Sequence, residues 1–281
     1  MGWTFTDDPE RYAAQVVPLL TRRPAANTLP LTVLDTLRTG QRWSDGPIVL
    51  GWYTLDGEVT GAVSMTPPYG ILLAELPEAS EVDLVAELRA LDVPVPDVAG
   101  ADADVARFVA CWTAGGGPGT EVIMRQRLYQ LAELRPPQPA PAGSARPAGP
   151  GDLGLVLDWM LEFQQEAEPR AVAPSRPMYQ RRIELGLLWL WMDAGGNPVS
   201  VAGRNATVAG TARLGPVYTT PRFRRRGYGA AATAACSQDA LARGAEQVVL
   251  FTDLANPTSN AIYQRLGYLA VEDRLILRFI D

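Results

Sequence analysis

Two segments of the chain carry residue types at spacings that could do chemistry. The first reads Val217-Tyr218-Thr219-Thr220-Pro221-Arg222-Phe223-Arg224-Arg225-Arg226-Gly227-Tyr228-Gly229-Ala230, a strand running into an arginine-rich turn that opens an alanine-rich helix. Free N–H groups at a helix N-terminus, together with the helix dipole, form an anion site. Gly227 and Gly229 let a backbone approach a phosphate closely, and the arginines add charge, so a pyrophosphate is the natural occupant. The same residues also allow a solvated surface patch. The second segment is Asn256-Pro-Thr-Ser-Asn260-Ala-Ile-Tyr263-Gln-Arg-Leu-Gly267-Tyr268. Offsets of four and seven place Asn256, Asn260 and Tyr263 on one helical face. They form either a functional polar stripe or an N-cap, a solvated amide and a half-buried phenol.

Composition narrows the chemistry further. The chain has no histidine, and all 25 of its basic residues are arginine. This excludes a Ser-His-Asp triad, a histidine base or metal ligand, and a Schiff-base or P-loop lysine. Acid–base work is left to Asp, Glu, Tyr, Cys, the terminal amine or water. A G+C-rich, bacterial genome accounts for the arginine, alanine, glycine and proline usage. Cys111 and Cys236 are the only cysteines, too few for a disulfide framework or a zinc site, and they read as buried structural thiols. No apolar run is long enough to span a bilayer. The first residues lack a basic and an apolar region of secretory type, so the expected compartment is the cytoplasm. Gly2 and Thr6 match the short myristoylation pattern, which chance readily produces.

The elements that must position these residues fall into two groups. Residues 135–151 are rich in Pro, Ala and Gly and read as a stiff linker. Residues 1–134 carry 9 Arg against 18 Asp and Glu, a net of −9; residues 135–281 carry 16 against 13, a net of +3. The first group is a poor partner for nucleic acid or an anionic membrane, and the arginine cluster of the second is too small for a nucleic-acid footprint. The pattern predicts helices over 8–20, 78–91 and 102–112. It predicts strands over 48–53, 59–65, 71–76 and 121–134, with Asp56-Gly57 as a hairpin turn. In the second group it predicts a helix over 152–166, strands over 187–192, 198–204 and 211–219, and a helix over 227–243. A buried parallel strand over 248–251, a helix opened by Asn256-Pro257 and a closing strand from Tyr268 to Ile280 follow. Trp159 and Phe163 read as core, and Trp189 and Trp191 as strand packing.

Taken together, the order and spacing of the two segments resemble the GNAT acyltransferase superfamily. Its Gln/Arg-x-x-Gly-x-Gly/Ala signature stands here as Arg224-x-x-Gly227-x-Gly229, preceded by Pro221, and Asn-x-x-Ser-x-x-Ile-Tyr-x-x-x-Gly-Tyr matches its second motif. The resemblance is clear over roughly residues 145–281. Residues 30–134 follow a similar element order without the arginine-glycine loop, so the chain resembles a tandem GNAT protein with a degenerate N-terminal copy. The fold expected is mixed α/β with two such domains: 1–134 without a cofactor loop, a linker at 135–151, and a catalytic domain at 152–281.

The resemblance implies an acetyl-CoA site. The pyrophosphate would sit on backbone N–H groups around Arg224, Arg225, Arg226, Gly227, Tyr228, Gly229 and Ala230. The pantetheine arm would pair with the backbone of Val217, Tyr218 and Thr219 where two parallel strands part. Asn256 and Asn260 would contact the cofactor arm, and Tyr263 would protonate the leaving thiolate. Glu162 and Glu166 share a face of the helix that borders the acceptor cleft in this family. Glu166 is taken as the general base, with Glu168 and Asp253 as other options. The expected function is an acetyl-CoA-dependent N-acetyltransferase acting on a primary amine of a small molecule or peptide, as a monomer or homodimer. It uses no metal, nucleic acid or membrane. A non-catalytic acyl-CoA-binding or regulatory module is the alternative. A dinucleotide site is disfavoured because the glycine order differs from Gly-x-Gly-x-x-Gly.

Overall fold

A computed structural model describes residues 1–167 and 174–280. They form two compact α/β units: Met1–Leu128 with Asp253–Ala255 and Val271–Asp281, and Tyr129–Thr252 with Asn256–Ala270. Among the described residues, no helix is long and apolar enough to cross a membrane.

The first unit begins with β1 (Gly2–Thr6), α1 (Pro9–Leu20) and α2 (Thr28–Arg38). The hairpin β2 (Val49–Leu55) and β3 (Glu58–Met65) follows, then β4 (Ile71–Ala74), α3 (Ser80–Ala90), β5 (Asp97–Ala101), α4 (Asp102–Trp112) and β6 (Gly119–Leu131), whose residues from Tyr129 onward belong to the second unit. Asp8 caps α1 by accepting from the N–H groups of Glu10 and Arg11, which satisfies donors that a helix start leaves free. Asp56 and Gly57 both have positive φ, 50° and 86°, as a type I′ hairpin turn requires. The strands β1 to β4 pair antiparallel in sequence order, and β5 joins β4 in parallel. Leu84, Val85 and Leu88 of α3 and Val105 and Phe108 of α4 close a core against Val63, Ile71, Leu73 and Val98 of the sheet.

The second unit holds β7 (Ser144–Pro147), α5 (Leu153–Ala167), α6 (Arg176–Glu184), β8 (Leu188–Met192), β9 (Pro198–Arg204) and β10 (Thr211–Thr219). These are followed by α7 (Tyr228–Ala242), β11 (Gln247–Asp253), α8 (Pro257–Arg265) and β12 (Tyr268–Ile280). Its sheet runs β11-β10-β9-β8-β7. One face packs on α5 and α6 through Val156, Trp159, Met160, Tyr179 and Ile183. The other packs on the alanines of α7, with Trp191, Tyr263 and Tyr268 in the same core. Small side chains on α7 let that helix lie close to the strands, which fixes where its N-terminus points.

The unit boundaries differ from those expected. The Pro/Ala/Gly stretch 135–151 lies wholly in the second unit. Ser144–Pro147 within it forms edge strand β7 against β8, a position where proline is tolerated because no ladder donor is needed on the open side. Arg146 anchors it with a bidentate pair to Asp152, at 2.7 and 2.8 Å, and holds that carboxyl below its ordinary pKa. The final strand is divided: residues from Val271 onward belong to the first unit, where Asp97–Ala101 of β5 pair with Arg274–Arg278 of β12.

The thiols are unequal. Cys236 is fully buried on α7, and burial pushes its pKa up to about 12; Cys111 is half-buried. Because the thiolate is the reactive form, a thiol reagent at neutral pH is expected to titrate one cysteine in the native protein and the second only after denaturation. Mass spectrometry of the labelled sites checks the assignment.

Candidate active site

The site is built where two parallel strands separate. Thr211–Leu214 of β10 pair with Gln247–Leu250 of β11, and the parallel ladder stops there. β10 continues along β9 after a register shift between Leu214 and Val217, so that Val217, Tyr218 and Thr219 oppose Ala202, Val201 and Ser200. Gly215 and Pro216 occupy the shift. A proline cannot donate to the ladder, and a glycine has no side chain to pack, so the strand bends there. Arg182 of α6 holds the bend by donating to the carbonyls of Gly215 (2.6 Å) and Arg204 (3.0 Å); burial lowers its guanidinium pKa. Beyond the shift, the β11-facing edge of Val217–Thr219 has no strand partner among the described residues, and an extended ligand could add there as a strand does. The strand expected over 211–219 is thus interrupted at its Gly-Pro pair.

β10 runs directly into the arginine loop. Arg225 and Gly227 both adopt left-handed backbone, φ 62° and 83°, which turns successive N–H groups into a concave surface. Gly227 caps α7, and the first ladder bond runs from Ala231 N to Gly227 O. The N–H groups of Tyr228, Gly229 and Ala230 are therefore free of the helix ladder. A Cβ at Gly229 would stand 3.1 Å from Thr219 Oγ1, so glycine lets the helix start sit tightly on the end of β10. Arg225 and Arg226 are exposed and have no ion pair among the described residues. Arg224 is different: its Nε donates to Thr219 O (2.9 Å), and its NH2 reaches Glu166 (2.6 Å). It is turned back along β10 rather than outward. Pro141, from the stretch expected to be a linker, lies beside Gly227.

On α8 the polar stripe has protein partners. Asn256 Oδ1 accepts from Ser259 N at 3.0 Å, as an N-cap does. Asn260 donates to Asn256 O (2.8 Å) and accepts from the hydroxyl of Tyr129 (3.1 Å), which also accepts from Gln264 (3.1 Å). Tyr129 is fully buried and tethers α8 from within the second unit; no motif in the sequence marks it. Tyr263 is 8% exposed, edge-on to Tyr268 at 6.1 Å. Burial pushes its pKa up to about 12, so the phenol stays protonated at neutral pH.

A third group gathers on α5. The Tyr218 hydroxyl donates to Glu162 (2.7 Å) and, more distantly, Glu166 (3.4 Å). Burial first, then the bond to Glu162, raises its pKa. Trp159 and Phe163 lie against the Tyr218 ring at 6.5 and 6.3 Å, so both belong to the core as expected, but Trp159 also faces an open cleft. That cleft, about 500 Å³, lies between Leu155, Trp159 and Glu162 on one side and Pro198, Pro221 and Phe223 on the other. Of the remaining acids, Glu168 lies outside the described residues. Asp253 falls in the first unit and accepts from Ala255 N in a turn.

In the first unit, the passage from β4 into α3 carries acids instead of arginines. Glu81 in the first turn of α3 is buried and paired with Arg107 at 2.5 Å, and Arg107 also holds Asp104. Glu75, at the end of β4, is engaged by Arg23 and Asn27.

Residues 155–268 match the family model described as acetyltransferase (GNAT) family. This segment is a GNAT domain. Acetyl transfer is the general activity of its family. The GNAT domain spans α5 to the start of β12 and contains the parted strands, the arginine loop and α8. Along the whole chain the fold is similar to that of solved structures. A GNAT-family acetyltransferase from Colwellia psychrerythraea aligns over 100% of both chains, at 11% identity and a TM-score of 0.61. A GCN5-related N-acetyltransferase from Sphaerobacter thermophilus aligns over 98% of this chain and 95% of its own, at 18% identity and 0.65. A tandem GNAT protein from the clavulanic acid biosynthesis pathway aligns over 98% and 97%, at 15% identity and 0.57. No curated protein matches the sequence.

Proposed function

We propose that the chain is an acetyl-CoA-dependent N-acetyltransferase that acetylates a primary amine of a small molecule or peptide. The GNAT domain carries the reaction, and the first unit is a degenerate GNAT-like copy without a cofactor loop. The observation that supports this most is the continuity of the strand parting with the loop: the open edge of Val217–Thr219 leads through the arginine loop to the free N–H groups of Tyr228–Ala230, past two arginines with no ion pair among the described residues.

The residues present fit acetyl-CoA. Backbone N–H groups around Arg225–Ala230, with Arg225 and Arg226, would hold the pyrophosphate; the backbone of Val217–Thr219 would align the pantetheine arm; and Asn260 and Asn256 border that path from α8. Arg224 links this loop to Glu166. Acetyl-CoA supplies the activated acetyl group. Glu166 accepts the proton that the acceptor ammonium must lose before its nitrogen bonds the acetyl carbon. Tyr263 donates a proton to the sulfur as the C–S bond breaks.

Cofactor-free protein titrated with acetyl-CoA is expected to gain about 2.7 kcal/mol at 100-fold excess over the dissociation constant, an upward Tm shift of roughly 5–10 °C for a chain of this size. Calorimetry is expected to give one acetyl-CoA per chain, since carboxylates occupy the first turn of α3 in the first unit. An amine panel read by thiol release then tests turnover. No shift with acetyl-CoA or CoA refutes the reading, and binding without turnover on any amine favours the regulatory module.

A further inference from the structure

We infer that the acceptor is a monoamine with a compact apolar body, its ammonium held by Glu162 and its body packed on Leu155, Trp159 and Phe223. The inference rests on the acetyltransferase reading above. Leu155, Trp159 and Glu162 stand at i, i+4 and i+7 of α5 and all face the cleft, as helical periodicity requires. Across from them, Pro198, Pro221 and Phe223 offer no side-chain hydrogen-bonding group; Thr220, between them, has a buried hydroxyl with no partner among the described residues, room for a single polar contact. About 500 Å³ is within the range of small-molecule sites.

Glu162 is the only carboxylate among the described residues lining the cleft. Its Oε2 accepts from Tyr218, which fixes the side chain, while Oε1 has no partner among the described residues. An ammonium leaving water needs such an acceptor. A second ammonium is disfavoured because Arg222 lines the same cleft. Asn197, the one amide on the lining, spends its NH2 on Asp193. A hydroxyl-rich amine would find only the Thr220 hydroxyl and Arg222 to bond and would set its remaining polar groups against carbon, each at a cost. An apolar amine meets carbon with carbon.

The test compares 2-phenylethylamine, putrescine and glucosamine with saturating acetyl-CoA. The expected result is a kcat/KM for 2-phenylethylamine well above the other two. Glu162→Gln should raise its KM by roughly 10–100-fold, the effect of losing one charge-assisted hydrogen bond, with a smaller change in kcat and an unchanged thermal shift with acetyl-CoA. Calorimetric titration of 2-phenylethylamine into the protein, without turnover, should show the same weakening. A preference for putrescine or glucosamine overturns the inference, as does a Glu162→Gln variant with unaltered KM and affinity. Absence of acetyl-CoA binding, with the amine still held through Glu162, instead rejects the acetyltransferase reading and leaves the cleft assignment standing.

Discussion

Tyr263→Phe is expected to lower kcat by about 10²–10⁴, the usual contribution of a positioned general acid, while acetyl-CoA affinity stays near that of the wild type. The ring keeps its edge-on contact with Tyr268 and its place in the core, so the change removes one oxygen and little packing. Steady-state kinetics on a confirmed acceptor, with calorimetry for acetyl-CoA, separates the two parameters. Full turnover in the variant would show that Tyr263 is not the acid. The same substitution has a stability signature. Burial raises the pKa of this phenol from 10.0 to about 12, so its contribution is complete below pH 10 and is lost as pH rises through about 12. At two pKa units this is on the order of 3 kcal/mol. Denaturant melts at pH 8 and pH 11 should show a smaller alkaline loss in Tyr263→Phe than in the wild type.

Gly227→Glu is expected to abolish stabilisation by acetyl-CoA, the whole of the roughly 2.7 kcal/mol available at 100-fold excess. The new carboxylate would stand at the cap of α7, beside the free N–H groups that an incoming pyrophosphate needs, and would repel its charge. A further cost falls on the apo protein, a φ of 83° that L residues rarely adopt, while a Cβ there meets Pro141 only at an ordinary contact distance of 3.8 Å. Gly227→Ala separates these effects, because it carries the same backbone strain without the charge. Thermal melts should show both variants destabilised without ligand, with a substantial acetyl-CoA shift retained only in Gly227→Ala. Equal shifts in Gly227→Glu and wild type would remove the loop from the binding site.

Elements with strong local signals were legible in the sequence. The Asp56-Gly57 turn, the alanine-rich α7 and the Asn256-Pro257 start of α8 all stand where residue type dictates. Those missed lack such signals. Strand β5 (Asp-Val-Ala-Gly-Ala) is built from small residues and owes its conformation to its neighbours β4 and β12. Helix α2 contains Pro30 and three threonines, poor formers rescued by burial of Leu31, Leu34 and Leu37. β7 was hidden because its prolines read as a linker. At the site, the loop and Tyr263 were legible because they are local motifs. Three features were not: the Tyr218 bond to Glu162, the Tyr129 tether on α8, and the turning of Arg224 onto Glu166. Each joins residues far apart in the chain, a relation that periodicity cannot express.

The divided final strand has a consequence for the nascent chain. The first unit to leave the ribosome is the last to be finished, because the open side of β5 waits until synthesis has reached Arg278. Until then an unpaired strand edge is exposed, a hazard for association with other chains. For the same reason, severing the chain within 135–151 does not yield two self-sufficient halves: the N-terminal fragment would lack the strand that completes its sheet, and the C-terminal fragment would carry that strand without its partner.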